Sequence, residues 1–315
     1  MGLTELYKRA SNKLRSQVPK QAATQKTYEG WATRAGNQQP TVSFVIQSHN
    51  KSDAVLHNIK KLRRYPNAEI IVIDDGSQPE HVVKLAQEMT NGNEFILRAN
   101  DLYEVVTYDR ALYLARGTYV ALLQDDDELP ADRWIHEAVQ HFAQHPDLVI
   151  LGGRNAVNML PLETTPDGQR GDYEAVGDLV QRKNCFKGDL AGTGAEAAKN
   201  APFRFVQTVN RAPMWIHRPL FMQHLRHIDQ SYAPFQWDDA EICLRAYAVG
   251  LNVGWYPAGF GHGGTGEGGM RIWNNALHHR QDETNARQLY QVYGHQLARI
   301  QATVEEANRA LATAR

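Results

Sequence analysis

Cysteine is nearly absent from this chain of 315 residues. Cys185 and Cys243 are the only two, and their separation fits neither a metal knuckle nor a disulfide framework. That scarcity suits a reducing compartment. No apolar run is long enough to span a bilayer, and the first residues lack the apolar core of a signal peptide. The expectation is a soluble, cytoplasmic protein, with peripheral contact at the inner face of a membrane left open. Neither sign of charge prevails, with 34 Lys+Arg against 35 Asp+Glu. That balance argues against nucleic acid as a partner. The segment Gln47-Ser48-His49-Asn50-Lys51 has no glycine, and the glycine-dense stretch 259–269 contains no Gly-Lys-Ser/Thr. A Walker-type phosphate loop is therefore excluded.

What the chain does have is a short apolar run that ends in acid. Tyr119-Val120-Ala121-Leu122-Leu123 reads as a strand buried on both faces, as in parallel sheets covered by helices. Gln124 follows, then Asp125, Asp126, Asp127 and Glu128. Carboxylates this close stay ionised only where water or a cation takes up their charge. In open α/β sheets ligands bind at the carboxyl ends of strands. The run therefore points to a divalent cation and its ligand. A plainer alternative is an acidic turn capping the helix that starts near Pro130.

Elsewhere strands and helices alternate. Strands are predicted at Val42–Ile46, Glu69–Ile73, Phe95–Arg98 and Leu148–Leu151, with helices between them. Ser52 or Asp53 is expected to cap the first helix. Ser77 and Glu80 form a capping box for the second, with Pro79 in its first turn. Gly117 stops the third. The alternation predicts a mostly parallel sheet with right-handed crossovers. Residues 152–202 read as long loops. Phe205–Val209, Met214–Ile216 and Val253–Tyr256 read as further strands, and Asp239–Val249 as a helix.

Both ends read as helical extensions. Residues 1–40 carry seven basic residues against two acidic. A basic amphipathic helix over about 1–20 can lie on anionic lipid or pack on its own domain. Near the C-terminus, Tyr293, Leu297, Ile300, Val304, Ala307 and Leu311 form an a/d seam. Docking on the chain's own domain is favoured there over a homodimer through 283–315. The organisation expected is an N-terminal extension over 1–40, a central domain over 41–270 in two halves, 41–151 and 152–270, and a C-terminal extension over 271–315.

Five pieces, in this order, resemble the family 2 glycosyltransferases of GT-A fold: VSFVIQSHN, IVIDDGS, ARGTYVALLQDDDELP, WDDAEICLRA and Gly261-His262. The resemblance implies an α/β sheet flanked by helices and an inverting enzyme that uses a nucleotide-diphosphate sugar, UDP-linked by preference, with 41–270 as catalytic domain, 41–151 its nucleotide-sugar-binding half and 152–270 its acceptor half. It implies Asp75 first and Asp74 second as nucleoside contacts, with Gln47, Asn50 and Arg98 beside the base or diphosphate. Asp126 is implied as direct metal ligand, Asp125 as a contact to donor sugar or ribose, and His262 as a further metal ligand. The oxygen-rich set suits Mn²⁺ or Mg²⁺. Asp239 matches the general base, with Asp238 where relatives carry Glu. Its place near a helix N-terminus favours the ionised form. Glu241 and Arg245 read as an i,i+4 salt bridge.

Two positions depart from the family pattern. Gln124 stands where relatives carry Asp, and Thr107-Tyr108-Asp109-Arg110-Ala111 replaces their Ala-Arg-Asn-x-Gly, so donor contacts there do not transfer. Trp215, Trp237 and Trp255 are candidate faces for sugar stacking. The acceptor expected is a glycan or a lipid-linked saccharide. The rival readings are a sugar-phosphate nucleotidyltransferase and a non-catalytic glycan- or nucleotide-binding partner.

Overall fold

Eight strands, the first four of them parallel neighbours, make the central sheet. The structure is a computed structural model and describes residues 39–157, 159, 185–187, 203–211, 213–262 and 275–313. The proposed lipid-binding helix over 1–20 lies outside them. Residues Pro40–Thr90 and Glu94–Arg315 form one compact unit.

β1 (Val42–Ser48), β2 (Ala68–Asp75), β3 (Glu94–Ala99) and β4 (Tyr119–Gln124) are parallel neighbours. β1 and β2 are buried at every position, which is why their sequences run apolar without alternation. Helices α1 (Ser52–Leu62), α2 (Pro79–Glu88) and α3 (Tyr103–Leu114) make the crossovers. α4 (Arg133–Gln144) leads to β6 (Leu148–Gly152). β11 (Met214–His217) then inserts antiparallel between β4 and β6. β12 (Asn252–Trp255) runs parallel to β6, and β9 (Arg204–Phe205) closes the edge. α5 (Asp238–Ala248) packs near β12. A small second sheet holds β7 (Asn155–Val157), β8 (Cys185–Lys187) and β10 (Thr208–Val209).

Several local expectations are corrected. Neither Ser52 nor Asp53 caps α1; the cap position is Lys51, with no side-chain bond. Ser77 does not cap α2 either. Its Oγ accepts the Asn50 N–H at 2.8 Å, which moves the cap to Gln78. The acidic run caps nothing, since α4 starts only at Arg133. Gly117 lies beyond the end of α3, and its role is close approach. A Cβ there would sit 2.5 Å from Ser43 N. This is also where Glu69 is buried, taking Ser43 Oγ and Arg116 N, each at 2.6 Å. The predicted strand 205–209 splits, because Val206 and Gln207 pass the chain from one sheet to the other.

The C-terminal helix begins earlier than expected and is broken. α6 (Asn275–Tyr293) and α7 (Leu297–Thr313) flank a turn at Gly294–Gln296. The seam residues Tyr293, Leu297, Ile300 and Val304 are buried in the chain's own core. Polar bonds fix the contact: Tyr293 Oη donates to Glu241 at 2.8 Å, and Asn308 bonds Phe205 N and O, both at 2.9 Å. The seam from Tyr293 to Val304 is thus used within the chain, as favoured above. Trp215 and Trp255 are core residues with no surface for a sugar; Trp237 is half-buried and donates to Asp282.

Candidate active site

Register brings three strand ends together. Gln47 of β1 lies beside Ile73 of β2 and Gln124 of β4, and Ser48 lies beside Asp74. The three loops that follow are laced to one another by short polar side chains. Asn50, at φ +55°, gives its N–H to Ser77 and accepts from Gln78 N at 2.8 Å. Asparagine tolerates that left-handed backbone better than most residues. His49 N donates to Asp125 Oδ2 at 2.9 Å, and its Nδ1 contacts Asp75 O at 2.9 Å.

Within this frame the two aspartates of β2 differ. Asp75 accepts the backbone N–H groups of Leu102 and Tyr103 at 2.9 and 2.8 Å, with Gln47 Nε2 at 3.5 Å. It holds the start of α3. Asp74 is fully buried, neither of its oxygens has a hydrogen-bond partner among the described residues, and Arg98 Nε is 3.9 Å away. Arg98 itself is half-exposed and donates to Ser77 O.

The acidic run forms a turn and then pairs. β5 (Asp127–Glu128) and β13 (Gly261–His262) are antiparallel, with His262 opposite Asp127. The backbone of His262 therefore lies beside the acid turn. The ligand role expected of its side chain lies outside the described part. Asp127 Oδ2 accepts Gln124 N at 2.8 Å, and Asn58 Nδ2 donates to Asp127 O at 2.8 Å. Lys51 Nζ stands 3.5 Å from Asp125 Oδ1 and 3.7 Å from Asp126 Oδ2. Burial pushes the Asp125 carboxyl up to about 6, with Lys51 opposing, and pushes Asp127 up to about 8. Beside them opens a cleft of about 540 Å³, lined by His57, Lys61, Asp125, Asp126, Asp127 and Gly259 among others.

A second acidic group sits at the start of α5. Trp237 precedes it with φ +70°. Asp238 is buried against Arg211, its Oδ2 taking the guanidinium Nη2. Solvent still reaches Asp239, although protein surrounds it, and its Oδ1 takes Ala240 N at 2.8 Å. Burial raises the Asp239 carboxyl above the usual range, and Arg211 pulls it back down. The expected helix-terminus effect is thus outweighed by desolvation. Glu241 and Arg245 do form the i,i+4 bridge, at 3.0 Å, but a buried one, in which Arg245 also serves the carbonyls of Leu225 and His227.

A family model described as glycosyl transferase family 2 matches residues 43–205, just over half of the chain. The chain belongs to glycosyl transferase family 2. The GT-A fold of that family is what the sheet shows, and two solved structures share it. GalNAc-T7, solved with UDP, GalNAc and Mn²⁺, is 16% identical with TM-score 0.52, over 72% of this chain and 44% of that one. S. aureus TarS residues 1–349, solved with UDP-GlcNAc, is 13% identical with TM-score 0.51, over 74% and 62%. An uncharacterized protein, y4gI of Sinorhizobium fredii (strain NBRC 101917 / NGR234), is 25% identical over 229 residues. Those residues are 69% of this chain, which spans about a quarter of that relative's length (24%).

Of the residues expected from the family 2 resemblance, Gln47, Asn50, Asp74, Asp75, Arg98, Asp125 and Asp126 gather at adjoining strand ends, with the backbone of His262 beside them. Asp239 stands on α5, joined to the β4 end through Glu104 and Arg211. Sequence reasoning passed over Lys51, Glu104 and Arg211. Only their charge marked them, because their partners lie far off in the chain.

Proposed function

We propose that this family 2 member is an inverting, metal-assisted glycosyltransferase. It moves a sugar from a nucleotide-diphosphate donor, UDP-linked by preference, to a hydroxyl of a glycan or lipid-linked saccharide. The observation that carries the reading is the acid turn Asp125–Asp127 beside the ends of β1 and β2, joined by a buried network to the helix that bears Asp239. Uridine is chosen because the two structural neighbours were solved with UDP or a UDP-sugar.

Among the described residues no three His, Cys, Asp or Glu side chains close a metal site alone. The chemistry nevertheless fits a cation shared with substrate. Magnesium-type ions take one or two carboxylates and complete their shell with phosphate and water. Asp125 Oδ1 and Asp127 Oδ1 are buried without hydrogen-bond partners. Asp125 and Asp126 would hold the ion, and His262 is proposed as a third ligand. An ion held there would supply positive charge to the leaving diphosphate.

The chain's own residues do the rest. Asp74 and Arg98, with Gln47 and Asn50, bound the nucleoside, while Asp75 shapes the loop through α3. Lys51 brings a second positive charge to the diphosphate. Asp239 takes the proton of the acceptor hydroxyl as its oxygen attacks the anomeric carbon from the face opposite the leaving group. Solvent access at Asp239 leaves room for that hydroxyl. Incubation with a panel of nucleotide sugars and Mn²⁺ or Mg²⁺ should release nucleoside diphosphate. Release of pyrophosphate from a sugar phosphate and a nucleoside triphosphate would make it a nucleotidyltransferase instead. If no donor is bound or cleaved, the reading falls.

A further inference from the structure

Arg211 is only 6% exposed, yet it carries a full charge into the protein. Its Nη1 lies 3.2 Å from Glu104 Oε1 in the first turn of α3, and its Nη2 bonds Asp238 at the start of α5. Its guanidinium carbon is 4.9 Å from the Tyr108 ring centre. Glu104 is hydrogen-bonded in turn by the Gln124 side chain, at the end of β4. One side chain thus ties together the metal strand, α3 and the helix of the base. Gln124, which stands where relatives carry Asp, and Asp238, which stands where they carry Glu, are both members of this network.

Stability alone does not account for it. Buried ion pairs roughly break even against apolar packing of equal volume. This one also leaves Arg211 Nε and Asp238 Oδ1 without hydrogen-bond partners among the described residues. Glu104 and Asp238 share the one guanidinium, whose charge is also felt by the neighbouring Asp239, and the uncharged Cys243 thiol lies within range of Asp239. On the reading that Asp239 is the base, we propose that Arg211 is a positioning residue. It clamps the first turn of α5 to α3 and β4 and supplies the positive charge beside Asp239.

The physical consequence is a pH signature. Burial favours the protonated Asp239, and Arg211 opposes it. Removing Arg211 should move the acid limb of kcat toward higher pH, whereas removing the Glu104 charge should move it lower. The experiment is kcat against pH for wild type, Arg211→Met, Arg211→Lys and Glu104→Gln, with donor affinity measured by calorimetry. Arg211→Met should shift the limb up by about one pH unit or more, which is about tenfold in rate near neutral pH. Arg211→Lys should keep the limb and lose rate at every pH. Glu104→Gln should shift it down, with donor affinity held in all three. If Arg211→Met does not fold, the near-isosteric Glu104→Gln and the charge-keeping Arg211→Lys decide the matter. A common limb, or a loss equal at all pH in Arg211→Met, overturns the proposal. Turnover by Asp239→Asn would instead overturn the base, and the proposal with it. Loss of turnover there, beside unmoved limbs elsewhere, sinks the arginine's role alone.

Discussion

The molecule holds two acidic clusters, and it treats them in opposite ways. At the strand ends, Asp74, Asp125 and Asp127 are buried with oxygens that nothing in the described protein hydrogen-bonds, and the nearest cations, Arg98 and Lys51, stand 3.5 to 3.9 Å from Asp74 and Asp125. At the start of α5, arginines are in direct contact with the acids. Arg211 takes Glu104 and Asp238, and Arg245 takes Glu241. Buried carboxyl oxygens with no donor suit a visitor that brings positive charge. Acids already held by arginines suit a group whose state must be set before substrate arrives. The contrast separates a receiving site from a preset one.

The sharpest way to break the contrast is at the preset side. Asp239→Asn should lower kcat by about 10³-fold or more, in the range of a lost general base, while calorimetry shows donor affinity unchanged. Next in size is the internal compensation itself. Glu241→Ala strands Arg245 and the Tyr293 hydroxyl, and urea unfolding should report a loss of about 3–5 kcal/mol. On the receiving side, Asp126→Asn should weaken Mn²⁺-dependent donor binding about 100-fold and leave the melting point of the ligand-free protein nearly unchanged. Equal loss of stability at Asp126 and Glu241 would erase the distinction between the clusters.

Smaller effects test the scaffold beneath both. Gly117→Ala forces a methyl group against the Ser43 backbone and should cost about 1–3 kcal/mol in urea unfolding. His141 offers a pH test away from either cluster. Its ring stacks on Phe203 at 4.5 Å, and burial lowers its pKa to about 4. Below about 6.5 the unfolded chain takes up a proton that the native ring refuses, so stability is flat above 6.5 and falls as pH drops toward 4. With solvent reaching part of the ring, the loss at pH 5 should be about 1 kcal/mol. In His141→Gln that slope, read from thermal melts, should flatten.

The receiving site was far more legible in the sequence than the preset one. Asp74, Asp75 and Asp125–Asp127 each close an apolar run, so their place at a strand end followed from local pattern. Asp239 was legible as a helix start, but its environment was not. Glu104, Arg211 and Asp238 meet only because β11 runs backwards beside β4, and no period in the sequence announces that. Capping went wrong for a similar reason. Ser77 has the right neighbours for a capping box, yet a loop from another strand claims its hydroxyl. Gly117 was read as a helix stop, a local role, when its reason lies across the sheet at Ser43. Where a residue's partner is nearby in the chain, pattern found it; where the partner comes from another element, only the fold could.

The reversed course of β11 has one more implication. β6 leaves the sheet at Gly152 and β11 re-enters opposite it at Met214, so departure and return fall on the same rim. The chain between them is no mere insert, for it also lends β9 to the edge beside β12 and Arg211 to the start of α5. Loosening that return would therefore be felt at a sheet edge and at Asp238 alike.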